Sequence, residues 1–361
     1  MHKEEKEYLY WLHNVPGVGD GKMRRLIDFL GSAQAVYFAT DKQLMSVLSR
    51  AETDKMRAFG KEWKVKEAYE KMTALGMKLV CEKETEYPSR LRAVNGAPYL
   101  LYYKGQLPEE KTVAVAIIGA RECSEYGRYV AKAFASRLAE EGVNVISGMA
   151  RGIDGIGQEA ALTAGGKTFA VLGCGADICY PAANRKLYEE IVKNGGILSP
   201  YPPGTSPQKT LFPYRNKIVA GLSDAVLVVE ARQKSGTWIT VDMALEQGKD
   251  VYAVPGRVTD RLSDGCNLLI KQGAGMAISP DDLLKELSVL TARTVLLHQD
   301  KEEKGVLRFL DLYPLSIDEI LERAQSEDEN ITLSGLMFEL IQLCMQGKAK
   351  EVSSNYFVKT G

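Results

Sequence analysis

The sequence predicts an α/β protein built on a doubly wound parallel sheet, and three observations predict it. Short apolar runs recur through the middle of the chain, from Val113–Ile118 to Val251–Val254. Stretches of helical periodicity separate them, and a Gly-containing turn follows most of them. Strands that read as continuous apolar runs, without alternation, are those that helices cover on both faces.

In chain order, residues 1 to 80 form a first, helical block. Within it, "VPGVGDGKMRRLIDFLG" (15–31) opens an amphipathic helix at Lys22–Leu30. This outline is helix-hairpin-helix or SAM-like. Such a hairpin either offers turn amides and the following Lys22 to a phosphate or is a plain packing unit. Residues 81–288 form the Rossmann-like block. Val113–Ile118 leads through "GARECSEYG" into a helix at Arg128–Glu140; Val143–Ile146 leads through "SGMARGID" into another. Thr168–Leu172 precedes "GCGADICYP" and a helix at Arg185–Lys193, and Gly196–Leu198 ends in the Pro-rich "SPYPPGTSP". Ala225–Val229 precedes "EARQKSGT" and a helix at Ile239–Gln247, and Val251–Val254 closes the series. A charged linker is expected at 289–304. The last block, 305–361, has helix-like stretches at Val306–Leu312, Ile317–Ala324 and Leu333–Cys344. The following "KAKEVSSNYFVK" reads as a two-stranded wing, giving a winged-helix outline.

Composition narrows the function classes. The 361 residues carry 45% hydrophobic content and a net charge of −1, so any anion binding must come from a local patch. The charged start lacks a signal peptide and no apolar run is long enough to cross a bilayer, so no membrane role is expected and the cytoplasm is the default. Six scattered cysteines lack a Cys-x-x-Cys pair and read as reduced core residues. The three histidines, His2, His13 and His298, lie outside the central block, which argues against His-based catalysis. We expect no metal or redox cofactor.

In an open parallel sheet, ligands bind outside the carboxyl ends of the strands, where turn amides and helix N-termini favour anions. Arg121 follows the first strand of the series and Arg151 the second; Arg215 and Lys217 precede the fifth, and Lys234 lies in the turn after it. Five cations at successive strand ends can converge on one rim. Taken singly, each reads equally well as solvated surface charge. "GCGADI" lacks the third glycine of a dinucleotide fingerprint, and no Walker sequence occurs.

From Tyr87 to Gly273 the chain resembles the DNA-processing protein A family (DprA, also called Smf). The resemblance runs through "YPSRL", "IIGAR", "SGMARGID", "AVLGCGADICYPAANRKL", "LFPYRNKIVAGLSDAVLVVEA", "SGTWIT", "VYAVPG" and "GCNLLIKQGA", in that order. It implies a non-enzymatic protein that binds single-stranded DNA, dimerises through its Rossmann-like domains and loads the RecA recombinase during natural transformation. It places Gly119, Arg121, Phe212, Pro213, Arg215 and Asn216 on the DNA, with Lys217 and the amides of Ser147–Gly148 and of Ser235, Gly236 and Thr237 beside them. Phe212 would stack on a base or pack beneath its turn. Three positions depart from the family pattern: Ala120 stands for Ser, Gln158 for His and Pro200 for Glu. The C-terminal block is expected to contact protein, because Leu333–Cys344 carries Glu339 as its only charge. Two other readings stay open. One is a nucleotide phosphoribohydrolase, with Glu246 as the remnant of a catalytic glutamate; the other is a sensor that binds a nucleotide in the same pocket.

Overall fold

The computed structural model describes residues 1–289, 305–328 and 331–360. Most of the expected linker, and His298, lie outside the described residues. A nine-stranded sheet runs through the centre in the order β1-β2-β6-β5-β4-β3-β7-β8-β9. The strands are β1 (Lys78–Cys81), β2 (Leu100–Gly105), β3 (Ala114–Ile118), β4 (Asn144–Ser147), β5 (Thr168–Val171), β6 (Gly195–Ser199), β7 (Ala225–Val228), β8 (Asp250–Ala253) and β9 (Gly275–Met276). β3 to β9 are parallel, whereas β1 and β2 form an antiparallel pair along β6. The 80/81 boundary drawn from the sequence falls inside β1.

The apolar runs form strands because both faces are covered. On β3, Val115 and Ile117 pack into one hydrophobic cluster and Ala114, Ala116 and Ile118 into another. Before the sheet come six helices, α1 (Lys3–Asn14), α2 (Asp20–Leu30), α3 (Ala33–Phe38), α4 (Asp41–Leu44), α5 (Arg50–Glu62) and α6 (Val65–Ala74), with α7 (Ser89–Arg92) between β1 and β2. The crossovers supply α8 (Glu125–Glu140), α9 (Ile153–Thr163), α10 (Arg185–Asn194), α11 (Phe212–Leu222), α12 (Thr237–Glu246), α13 (Asp264–Lys271) and α14 (Pro280–Glu286). Helices α8, α9 and α14 cover one face, and α11, α12 and α13 the other.

The N-terminal helices share their core with the sheet. Trp11, Leu12, Met23 and Leu26 belong to the same buried cluster as Ala170 and Leu172 of the β5 end and Ile197 of β6. Asp20, the first residue of α2, ties this layer down. It accepts hydrogen bonds from the Tyr99 amide and the Tyr214 hydroxyl, both at 3.1 Å, and lies 3.7 Å from His13 Nε2. Burial pushes its carboxyl pKa up, but the bonds from His13, Tyr99 and Tyr214 prevail and hold it below the usual value. Lys22, a candidate phosphate contact, is bound to Glu52 and to the Gly17 carbonyl.

In residues 305–360, helices at Ile317–Gln325 and Leu333–Met345 pack on a small antiparallel sheet, β10 (Leu315–Ser316), β12 (Tyr356–Lys359) and β11 (Ala349–Ser353). Ile320, Leu336, Leu340 and Phe357 centre its own buried cluster. The stretch expected to be helical from Val306 is a short 3-10 turn at Gly305–Phe309.

Candidate nucleic-acid interface

The turns after β3, β4, β5, β7 and β8 share the carboxyl rim of the sheet, and Arg215 sits beneath its centre. The sequence suggests a rim cation in a turn. The structure corrects this: Phe212–Leu222 is a helix, and Arg215 is only 5% exposed. The reason is spacing, since Arg215 lies three and four residues before Ile218 and Val219 and so shares their inward face. Its Nη1 donates to the Gly148 carbonyl at 2.6 Å and to the Val171 carbonyl at 2.7 Å, and Nε donates to Asn216 Oδ1 at 3.0 Å. The guanidinium therefore joins the carboxyl ends of β4 and β5. A Cβ on Gly148 would overlap that guanidinium, so a side chain there would displace Arg215 from its two carbonyls.

Asp154, in the first turn of α9, is the counter-charge. Its Oδ2 accepts from the Gly148 amide at 3.2 Å. Burial pushes its pKa up and Arg215 pulls it back; burial likewise pulls Arg215 down. Ser147 is fully buried and its hydroxyl donates to the Ile117 carbonyl at 2.6 Å. The Gly148 amide is therefore committed to Asp154, and Ser147 is buried in β4, so this pair does not form the free amide seat the sequence suggests. Lys217 also sits elsewhere, five residues along α11, beside Gly96 and the end of α12.

Other groups do face solvent at the rim. Arg121 and Arg151 are exposed, and among the described residues neither side chain has a hydrogen-bond or ion-pair partner. Arg185 stands next to Asn184, whose Nδ2 donates to the Met149 carbonyl at 3.0 Å and so holds it against the Arg151 turn. Phe212, at the start of α11, lies against Gly173, where a Cβ would meet the ring at 2.8 Å. Tyr180, 45% exposed, stands 5.8 Å from Phe212 centroid to centroid. Gly119 packs against Ile153 and the Glu230 carbonyl. Lys234 and Gly236 are exposed in the turn after β7, Ser235 and Thr237 partly so, and among the described residues the Ser235 hydroxyl has no partner.

Sequence reasoning missed three residues here. Asp154 was readable as an acid opening the helix after "SGMARG", and Tyr180 as an aromatic in a Gly-rich turn. The third, Glu230, ends the apolar run of β7 and is fully buried. It accepts from the Ser124 amide at 3.0 Å and from the Ser124 hydroxyl, and burial raises its pKa. It thereby fixes the turn that carries Arg121. Of the departing positions, Ala120 donates its amide to the Glu230 carbonyl at 2.8 Å. Gln158 is a core residue whose Nε2 bonds Thr168 Oγ1 and the Phe169 carbonyl, both at 3.1 Å.

A largely parallel sheet covered by helices on both faces defines a doubly wound α/β protein, and at its carboxyl rim lie two exposed arginines and an aromatic pair. Residues 78–288 match the family model described as DNA recombination-mediator protein A, and the chain belongs to that family. It is 46% identical over 200 residues to the DNA processing protein DprA of Streptococcus pneumoniae, covering 55% of this chain and 71% of that one. It is 34% identical over 249 residues to the protein of that name from Bacillus subtilis, covering 67% and 84%. The X-ray structure of the S. pneumoniae protein superposes with a TM-score of 0.68 at 33% identity, covering 78% of this chain and 97% of that one. A Helicobacter pylori DNA processing protein A, described for its single-stranded DNA binding mode, superposes at 0.53 with 32% identity, covering 59% and 95%.

Proposed function

We propose that this chain binds single-stranded DNA at the rim that Arg121, Arg151, Phe212 and Tyr180 present, and delivers it to the RecA recombinase in recombination and natural transformation. The observation that carries this is the pairing of unpartnered exposed arginines with an aromatic pair at one set of strand ends. Phosphates go to the arginines, and bases stack on the rings without regard to sequence. Membership of the DNA recombination-mediator family supports the same reading.

In this proposal the protein is a cytoplasmic homodimer without catalytic activity. Its parts are the helical block 1–80, the Rossmann-like block 81–288, the linker 289–304 and a winged-helix module from 305 to 361. The phosphoribohydrolase reading finds little support, because Glu246 is the last residue of α12. At 1.5 Å per residue, that places it roughly 14 Å along the helix from the turn at Thr237. The test is fluorescence anisotropy with a labelled single strand and a duplex of the same sequence, beside an assay for base release from nucleoside monophosphates. Preference for the single strand without base release is expected. Equal affinity for duplex, or released base, would overturn the proposal.

A further inference from the structure

The C-terminal module touches the sheet block at the rim, around the first turns of α8. The Tyr313 ring stacks on Tyr126, in the first turn of α8, with centroids 5.5 Å apart and planes 19° from parallel. The Arg257 guanidinium lies over the same Tyr313 ring, 3.4 Å from its centroid. Tyr126 and Arg257 belong to different turns, one after β3 and one after β8, and the Tyr126 hydroxyl binds them together by donating to the Pro255 carbonyl at 2.8 Å. Around this contact Lys350 of β11 reaches Glu125 at 3.2 Å, and the Lys359 ammonium stands 5.8 Å over the Tyr129 ring.

We infer that Tyr126 and Arg257 form a second base-stacking seat for single-stranded DNA, and that Tyr313 occupies it in the module-docked state. The inference rests on the single-strand reading above. A tyrosine ring and a guanidinium that together accept one flat aromatic ring offer what an unstacked nucleobase needs, and every base has such a face. The seat continues the candidate interface. Arg121 lies five residues before Tyr126 on the same turn, and Glu230 at the end of β7 fixes that turn through Ser124. The turn after β7 is joined to the one after β8 by the Ala231 amide, which donates to the Leu262 carbonyl at 2.8 Å. Arg257 and Arg261 are exposed on that turn and can meet phosphates on either side of a seated base. Glu125 works against a phosphate there, but Arg128 keeps it paired at 3.4 Å when Lys350 leaves. Strand and module compete for the seat, so the protein binds DNA more tightly once Tyr313 is gone.

The test uses full-length protein and a single strand carrying 2-aminopurine, whose fluorescence falls on stacking. Tyr313→Ala should tighten binding about fivefold or more, deepen the quenching as a base stacks, and steepen the salt slope as the flanking phosphates meet Arg257 and Arg261. Adding Tyr126→Ala should abolish the gain, and adding Arg257→Ala, at an exposed position, should reduce it. Unchanged affinity in Tyr313→Ala, or a gain that survives both second substitutions, overturns the inference while leaving the single-strand reading intact. Absence of binding in wild type and variants alike would sink both.

Discussion

Replacing Arg215 by Ala removes a charge that the structure uses internally, so its first effect should be on stability. The substitution leaves the Gly148 and Val171 carbonyls without their donor, in a place where Arg215 itself is 5% exposed. An unpaired buried acceptor costs about 1–3 kcal/mol, so two of them predict a loss of about 3–4 kcal/mol at neutral pH. Asp154 adds a pH signature. Burial already raises its pKa and Arg215 restrains that rise, so without the guanidinium it rises further. A carboxyl with a raised folded pKa penalises the native state above that pKa, and the penalty fades as pH falls through it. The gap between wild type and Arg215→Ala should therefore narrow from pH 8 to pH 5, and adding Asp154→Asn should recover part of the loss. Urea unfolding followed by circular dichroism measures this directly. An unchanged midpoint at pH 8, or a gap that widens in acid, would refute the assignment of Arg215 as the internal tie between β4 and β5.

For DNA binding the informative changes are at exposed positions. Arg121→Ala and Arg151→Ala should each weaken single-strand affinity for all sequences alike and flatten the log–log salt slope by about 0.7, with unfolding midpoints unchanged. An unaltered slope in both would place the phosphates elsewhere. At the Asp20 junction the folded pKa is depressed, so its contribution is present above the unfolded value of about 3.9 and is lost as pH falls below it. Asp20→Asn should accordingly be less stable than wild type at pH 7, with the difference shrinking as pH falls below about 4; a pH-independent difference would contradict this.

The parallel strands were legible because each is apolar on both faces, and helices lie where the intervening segments show their periodicity. The β1–β2 pair went unnamed because it is antiparallel and lies beyond the strand–helix alternation, and β9 because two residues carry no pattern. At the site, the glycines and arginines of the turns were visible, but their division of labour was not. Arg215 looks in the sequence like Arg121, and only the helical phase set by Ile218 and Val219 turns it inward. The amides of Ser147 and Gly148 looked like donors to a ligand because the sequence cannot show that Ser147 is buried in β4 and that Asp154 already engages Gly148. The Tyr126–Tyr313 stack joins positions 187 residues apart, which no local pattern signals.

The junction at Asp20 also bears on the order in which the chain assembles. Its partners Tyr99 and Tyr214 lie 79 and 194 residues further along. The cluster holding Trp11 and Leu26 is completed only by side chains as late as Ile197. In a chain made from its N-terminus, α1 and α2 emerge long before the surfaces they rest on. Their final packing waits until α11 has been synthesised, which leaves Trp11, Leu12 and Leu26 open to chaperones or to mispairing. Helices α1 and α2 are thus among the last elements to reach their native contacts, although they precede most of their partners in the chain.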